Sequence, residues 1–266
     1  MSAVIQSLIE PILLRHDEKG VTTLTLNRPA QFNALSEKLL VELQAAFDAL
    51  AADATIRAVV IAGAGKAFCA GHDLKQMRDN PGKDYQRKLF RQCGRVMTSI
   101  TKMPQPVIAR VHGIATAAGC QLVAMCDLAV AADAAKFAVS GINVGLFCST
   151  PAVALARNMG RKQAMEMLLT GDFIDAAEAQ RRGLVNRVAP LAQLDVEVKK
   201  LTDSILAKSP VAVGMGKQLF YSQLEMGLEG AYQLASETMA CNMMAADAAE
   251  GIDAFMQKRK PTWKGC

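Results

Sequence analysis

Aromatic side chains are scarce in this chain. They make up 5% of its 266 residues, with one Trp, three Tyr and nine Phe. A formal net charge of +5 is carried by scattered Lys and Arg. With so few rings to stack on bases, it forms no basic and aromatic surface of the nucleic-acid-binding kind. Histidine is scarcer still. His16, His72 and His112 stand far apart, none at helical ligand spacing from another, so no zinc site is expected. The seven Cys (Cys69, Cys93, Cys120, Cys126, Cys148, Cys241 and Cys266) contain no CxxC and are odd in number. That pattern excludes a disulfide framework and predicts reduced thiols, so a cytoplasmic location is expected. No apolar run reaches the roughly 20 residues of a membrane span. The best candidate, "LVAMCDLAVAADAAKF", is broken by Asp127, Asp133 and Lys136, and no membrane contact is expected. The opening "MSAVIQSLIE" carries Glu10 and lacks a basic stretch, so no secretory leader is expected.

What is present is a globular composition, 51% hydrophobic and 21% charged. The length suits one large domain, or one with a small appendage. "ILLRHDEKGVTTLTLNRP" reads as a hairpin around a polar "DEKG" turn, with Pro29 closing its second strand. In "SEKLLVELQAAFDALAAD", Leu39, Leu40, Leu43, Phe47 and Leu50 share one helical face, with Ser36 as N-cap. "RAVVIAG" is a buried strand. "DYQRKLFRQCGRVMTSITKM" is a second amphipathic helix burying Leu89, Cys93, Val96, Met97 and Ile100, and Pro104 and Pro106 end it. "PVIARVHG" is a strand, "AAGCQLVAMC" a helix and "DLAVAAD" a strand. Repeated strand–strand–helix and strand–helix units predict an α/β fold with largely buried sheets. After about residue 150 the pattern reads as helical to the end, and its Met-rich last stretches suit core or subunit contacts.

Three familiar chemistries fail on detail. "GAGK" at Gly63–Lys66 would be a phosphate loop only with Gly at position 60 and Ser or Thr at 67, which are Val60 and Ala67. A dinucleotide fingerprint needs Gly where Phe68 stands. Ser140 is not on a nucleophile elbow, since position 138 is Ala. Two loop-to-helix junctions remain, "FCAGHDL" and "HGIATAAGCQL", each after a strand and rich in small residues. Backbone N–H groups from two such loops can meet on one oxygen and stabilise the enolate or tetrahedral anion of a thioester. A helix start adds its dipole.

These segments, with "LNRPAQFNAL", "MEMLLTGDFIDAAEAQRRGLVNRV" and "FMQKRKPTW", stand in an order and spacing that resembles the crotonase (enoyl-CoA hydratase/isomerase) superfamily over nearly the whole chain. The resemblance implies a spiral of ββα units carrying an acyl-CoA-binding core, residues 1–200, and a C-terminal helical trimerisation region, residues 201–266. It implies a CoA thioester as ligand in fatty-acid metabolism, no tightly bound cofactor, and a homotrimer or dimer of trimers. By position, the oxyanion donors are the N–H groups of His72 and Ala118. His72, Asp73, Leu74 and Lys75 match the family's acyl-CoA-binding stretch. Ala118 replaces a family Gly, and a helix-start backbone suits it.

The two family Glu residues are replaced by Gln121 and Gly141. A Gln amide neither takes nor gives a proton near neutral pH, and Gly has no side chain. Ser140, Asn143, Cys148 and Ser149 lie on the segment that lines the pocket in relatives. Read from the sequence, Ser149 is a helix cap and Cys148 core. The basic tail Lys258, Arg259 and Lys260 is either solvated charge or a reach to CoA phosphates on a neighbouring subunit. Two readings follow: a family enzyme acting through the oxyanion hole alone, with ordinary hydration in doubt, or a non-catalytic acyl-CoA binder. An unrelated nucleotide-binding protein is a third, opposed by the failed phosphate motifs.

Overall fold

The computed structural model describes residues 10–266, so most of "MSAVIQSLIE" lies outside the described residues. The chain begins with strands β1 (Leu13–Glu18) and β2 (Val21–Leu26). Lys19 and Gly20 join them with φ of 47° and 81°. Positive φ at both central positions is what a type I′ two-residue hairpin needs, so the "DEKG" turn fixes the register Glu18↔Val21. Helix α1 (Glu37–Ala51) starts at Ser36, whose Oγ accepts the Leu39 N–H at 3.2 Å, and buries the five residues its spacing predicts.

Three further turns repeat the unit. The first is β3 (Ala58–Gly63), β4 (Ala67–Cys69), α2 (Leu74–Asp79) and α3 (Lys83–Lys102). The next is β5 (Val107–Val111), β6 (Ile114–Thr116) and α4 (Ala118–Met125). The last is β7 (Leu128–Ala132), β8 (Lys136–Ala138), a 3-10 turn at Ser140–Val144, α5 (Ser149–Asn158) and α6 (Arg161–Thr170). Each of these turns gives one strand to each of two sheets. The six-stranded sheet runs β1-β2-β3-β5-β7 and the four-stranded one begins β4-β6-β8. The polypeptide therefore climbs as a spiral, and the strand ends of the small sheet stack along one line.

The sequence pattern predicts helix throughout after residue 150, but two short strands interrupt it. β9 (Ile174–Asp175) completes the small sheet and, after α7 (Ala176–Arg181), β10 (Arg187–Ala189) completes the large one. Two or three residues are too few to show an alternating pattern. Four helices follow: α8 (Leu194–Leu206), α9 (Pro210–Gln223), α10 (Leu228–Met243) and α11 (Ala246–Met256).

Phe47, Phe68 and Phe137 are among the largest fully buried side chains, each worth about 1.5–3 kcal/mol of burial. Phe68, which breaks the dinucleotide pattern, is thus a core residue on β4. Helix α9 is tied to this core through Asp127, just before β7. Lys217 Nζ donates to Asp127 Oδ2 and to the Gln105 carbonyl, both at 2.7 Å. Tyr221 Oη donates to Asp127 Oδ1 at 2.8 Å, and the Val107 N–H to Oδ2 at 2.6 Å.

Candidate active site

The site is built where β4 and β6 end. Asn33 is fully buried, and its side chain accepts the Arg28 N–H and donates to the Ala64 and Ala67 carbonyls at 2.8–2.9 Å. This holds the "LNRPAQFNAL" loop against the loop after β4. Arg28 donates to the Ala34 carbonyl at 2.6 Å and to Asp73 Oδ2 at 2.9 Å. Leu35 then pairs with His72 in parallel fashion: the Leu35 N–H donates to the Gly71 carbonyl at 2.7 Å, and the Asp73 N–H to the Leu35 carbonyl at 3.4 Å. In a parallel pair these bonds use the residues flanking His72, so the His72 N–H faces away from Leu35.

The Gly71–His72 loop abuts the second loop. A Cβ on Gly71, whose φ is +92°, would stand 2.8 Å from Ala117 Cβ and 3.1 Å from the Ala118 nitrogen. Only Gly permits that approach and that φ. Ala117 takes φ 50° and ψ −122°, a conformation rare for any side-chain-bearing residue and worth about 1–3 kcal/mol of strain. It is held there because its N–H donates to the Ala138 carbonyl and its own carbonyl accepts the Gln121 N–H, both at 3.0 Å. The strain of the small-residue run therefore falls on Ala117, while Ala118 opens α4. A first helical residue has no intrahelical partner for its N–H. His72 and Ala118 line one cavity of about 480 Å³.

Leu74, Met77, Phe90, Val144, Leu146 and Phe147 give this cavity an apolar wall, and no Asp, Glu, Lys or Arg lines it. Ser140, Gly141, Cys148 and Ser149 also line it, but Asn143 does not. The Asn143 amide lies instead beside Gly171. Gln121, 4% exposed, is buried in α4 and is not in the lining. Ser140 Oγ is bonded to Thr116 Oγ1 at 2.8 Å. The expected cap at Ser149 is displaced by one residue: Cys148 is the N-cap of α5, without a side-chain bond, and Ser149 opens the helix. Cys148 is buried yet reaches the cavity. Burial pushes its thiol up, and the Gly141 N–H opposes that shift.

Gly141 meets a steric limit. A Cβ there would stand 2.6 Å from the Leu146 carbonyl oxygen and 2.8 Å from Cys148 Sγ. Its φ is not in the left-handed region, so space decides against a side chain. The His72 ring packs edge-on against Phe90, centroids 5.4 Å apart. Both ring nitrogens are shut off from solvent, and burial lowers the ring's pKa to about 4, a shift that the Leu35 backbone partly opposes.

Other expected ligand residues lie elsewhere. Asp73 caps α2 by accepting the Gln76 N–H at 3.2 Å and pairs with Arg28. Lys75 pairs with Asp79 at 2.7 Å. Arg259 is held by both carboxylate oxygens of Glu250 at 2.6 and 2.8 Å. None of Asp73, Lys75, Lys258, Arg259 and Lys260 lines the cavity. Sequence reasoning missed Arg28, Ala117 and the Phe90 and Val144–Phe147 walls. Only the apolar "NVGLF" next to Gly141 hinted at the last. Among the described residues, no cluster of three His, Cys, Asp or Glu side chains could hold a metal ion.

A two-sheet ββα spiral with two loops meeting at one apolar cavity defines the class of protein. The chain belongs to the enoyl-CoA hydratase/isomerase family, whose model matches residues 16–266. It is 46% identical over 246 residues to enoyl-CoA hydratase domain-containing protein 3, mitochondrial, of Mus musculus, covering 92% of this chain and 82% of that one. The crystal structure of human enoyl-CoA hydratase domain-containing protein 3 is 45% identical with a TM-score of 0.92, covering 95% of this chain and all of that one. An enoyl-CoA hydratase structure from Mycobacterium smegmatis is 62% identical with a TM-score of 0.94, covering 96% and 99% of the two chains. The mouse relative is named as mitochondrial. No helix among the described residues here is long and apolar enough to cross a membrane.

Proposed function

We propose that this chain binds a CoA thioester with its carbonyl oxygen between the His72 and Ala118 N–H groups, and that it does not hydrate enoyl thioesters by a carboxylate pair. The observation that carries this reading is that His72 and Ala118, from two adjoining loops, both line a cavity whose lining has no carboxylate. One donor of this kind contributes about 2.7–4 kcal/mol to an oxyanion. A missing acid or base costs about 10²–10⁴-fold per group. The chemistry left is enolate stabilisation on the thioester, or binding without turnover. The tight closure of the loop over Gly141 favours the second. The ligand is the thioester itself, and no tightly bound cofactor is needed.

Residues 1–200 carry the site in this reading, and 201–266 assemble the subunits. Helices α9–α11 leave Phe220, Leu228, Tyr232, Met239, Met244 and Phe255 exposed, Met244 and Phe255 at 85%. Such a surface suits a homotrimer or dimer of trimers. Lys258 and Lys260 are exposed and suit the CoA phosphates of a neighbouring subunit, whereas Arg259 is committed to Glu250. Five buried free cysteines suit a reducing compartment, which we take to be the cytoplasm. Calorimetry with butyryl-CoA tests the binding claim, and no heat at millimolar ligand refutes it. Light scattering tests the assembly, and a monomer at micromolar concentration refutes that part.

A further inference from the structure

We infer that a second cavity, about 510 Å³ in volume, is a binding site for an aliphatic carboxylate, whose charged head meets Arg57 and whose chain lies along an apolar wall that includes Trp263. It shares no lining residue with the first cavity. Its walls come from the residues just before β3 and β5, the end of α8, the first turns of α9 and the C-terminal tail. Ile56, Pro104, Ile205, Val211, Met215 and Trp263 make it largely apolar. Arg57 and Lys264 are the charged residues of the lining, which holds no Asp or Glu. None of the exposed apolar side chains assigned above to subunit assembly lines it.

Arg57 is half-buried and donates from Nη2 to the Lys208 carbonyl at 2.6 Å. Among the described residues its guanidinium makes no other hydrogen bond and no ion pair, so most of its five N–H donors are unused. The charge of Asp247 acts to raise its pKa, yet burial outweighs that and pushes it down. Asp247 is itself engaged, accepting the Ser209 hydroxyl at 2.7 Å and the Lys264 N–H at 2.6 Å. A desolvated cation without a paired anion is unfavourable, and the guanidinium fork matches a carboxylate. The Val211 N–H, in the first turn of α9, has no intrahelical partner and adds the positive end of the helix dipole. The tail is a fixed wall. Trp263 Nε1 donates to the Ala207 carbonyl at 2.8 Å, and the Trp263 ring lies so close to Gly251 that a Cβ there would stand 3.2 Å from it. Glu250 accepts the Thr262 N–H at 2.7 Å. One half-buried guanidinium balances one negative charge, and the apolar wall needs a hydrocarbon body to cover it. A monocarboxylate with an aliphatic chain meets both conditions, and inorganic phosphate meets only the first.

Trp263 is the chain's only tryptophan, so its fluorescence reports on this cavity. The test is titration of the full chain with octanoate, octanol and inorganic phosphate. Octanoate should shift the Trp263 emission saturably, and octanol and phosphate should each act at least about tenfold more weakly, since each lacks one half of the match. Arg57→Gln keeps a donor for the Lys208 carbonyl, and should weaken octanoate by about ten- to hundredfold, the worth of a hydrogen bond to a charged group, while leaving octanol unchanged. An emission that does not respond saturably to millimolar octanoate overturns the inference. So does octanol or phosphate acting as strongly as octanoate, or an octanoate response that survives in Arg57→Gln. Where Arg57→Gln does not fold, Val211→Phe decides: filling the cavity from α9 should abolish the octanoate response, and an unchanged response refutes the site.

Discussion

The Leu146 carbonyl oxygen occupies the space that a side chain on Gly141 would need, 2.6 Å from the position of its Cβ. The loop is drawn back on itself by the Leu146 N–H, which donates to the Gly141 carbonyl at 2.9 Å. Gly141, matched by the family resemblance to a second carboxylate, is thus closed over by backbone.

Gly141→Ala should lower stability by about 1–3 kcal/mol, the cost of forcing atoms into a packed site. Gly141→Glu should cost at least as much. The double variant Gln121→Glu/Gly141→Glu should gain no useful hydration of crotonyl-CoA, since Gln121 is outside the cavity lining as well. Melting curves and enoyl absorbance check this. A folded double variant that hydrates crotonyl-CoA briskly would mean that the loop yields.

Arg28 and Asp73 hold the His72 loop in place. Arg28→Ala leaves Asp73 and the Ala34 carbonyl short of a donor, which should destabilise the chain by about 1–3 kcal/mol and weaken thioester binding. Burial alone would raise the Asp73 carboxyl, but Arg28 and the Gln76 N–H outweigh it and hold it below its ordinary value. A depressed carboxyl stabilises the fold fully above its unfolded pKa, about 3.9, and loses that contribution as pH falls through the folded value. The stability gap between native and Arg28→Ala should accordingly narrow at the acid end, as read from urea midpoints.

His72 predicts a different acid response. Its folded pKa lies near 4, below the ordinary 6.5. As pH falls between those values the unfolded chain takes up a proton that the folded chain refuses, so stability declines. His72→Gln should flatten that decline between about pH 6.5 and pH 4.5. His112 shifts in the same direction, so the difference between native and variant isolates His72. Parallel native and variant curves over that range would refute the burial of a neutral ring.

The long elements were legible in the sequence and the short ones were not. α1 and α3 carry enough turns for Leu39–Leu50 and Leu89–Ile100 to declare one buried face. β4, β6 and β8 have three residues each and no room for alternation. Yet these strands set the site, because their ends carry both amide loops. Family resemblance proposed His72 and Ala118 as donors, and both line one cavity. It could not supply the strain at Ala117, the Arg28–Asp73 pair or the closure over Gly141, which depend on residues that meet only after folding.

The latch on α9 gives a further prediction. Lys217 and Asp127 are a buried pair, 2.7 Å apart, with side chains 6% and 14% exposed. Removing one member of such a pair costs about 3–5 kcal/mol, because the other charge is left behind. Lys217→Met should fall in that range, and Lys217→Met/Asp127→Asn should recover part of the loss. Denaturant melts check it, and a single variant within about 0.5 kcal/mol of native would contradict the role given to the pair.

The central claim is that the thioester carbonyl is held and polarised while no carboxylate delivers water. One absorbance experiment reads both parts: crotonyl-CoA mixed with a stoichiometric amount of the native chain and followed over time. The account predicts an immediate shift of the enoyl-thioester band to longer wavelength, as the two N–H groups draw on the carbonyl oxygen, and then a band that persists. A band that decays at the rate of an ordinary hydratase would contradict the account, as would one that does not shift at all under saturating protein.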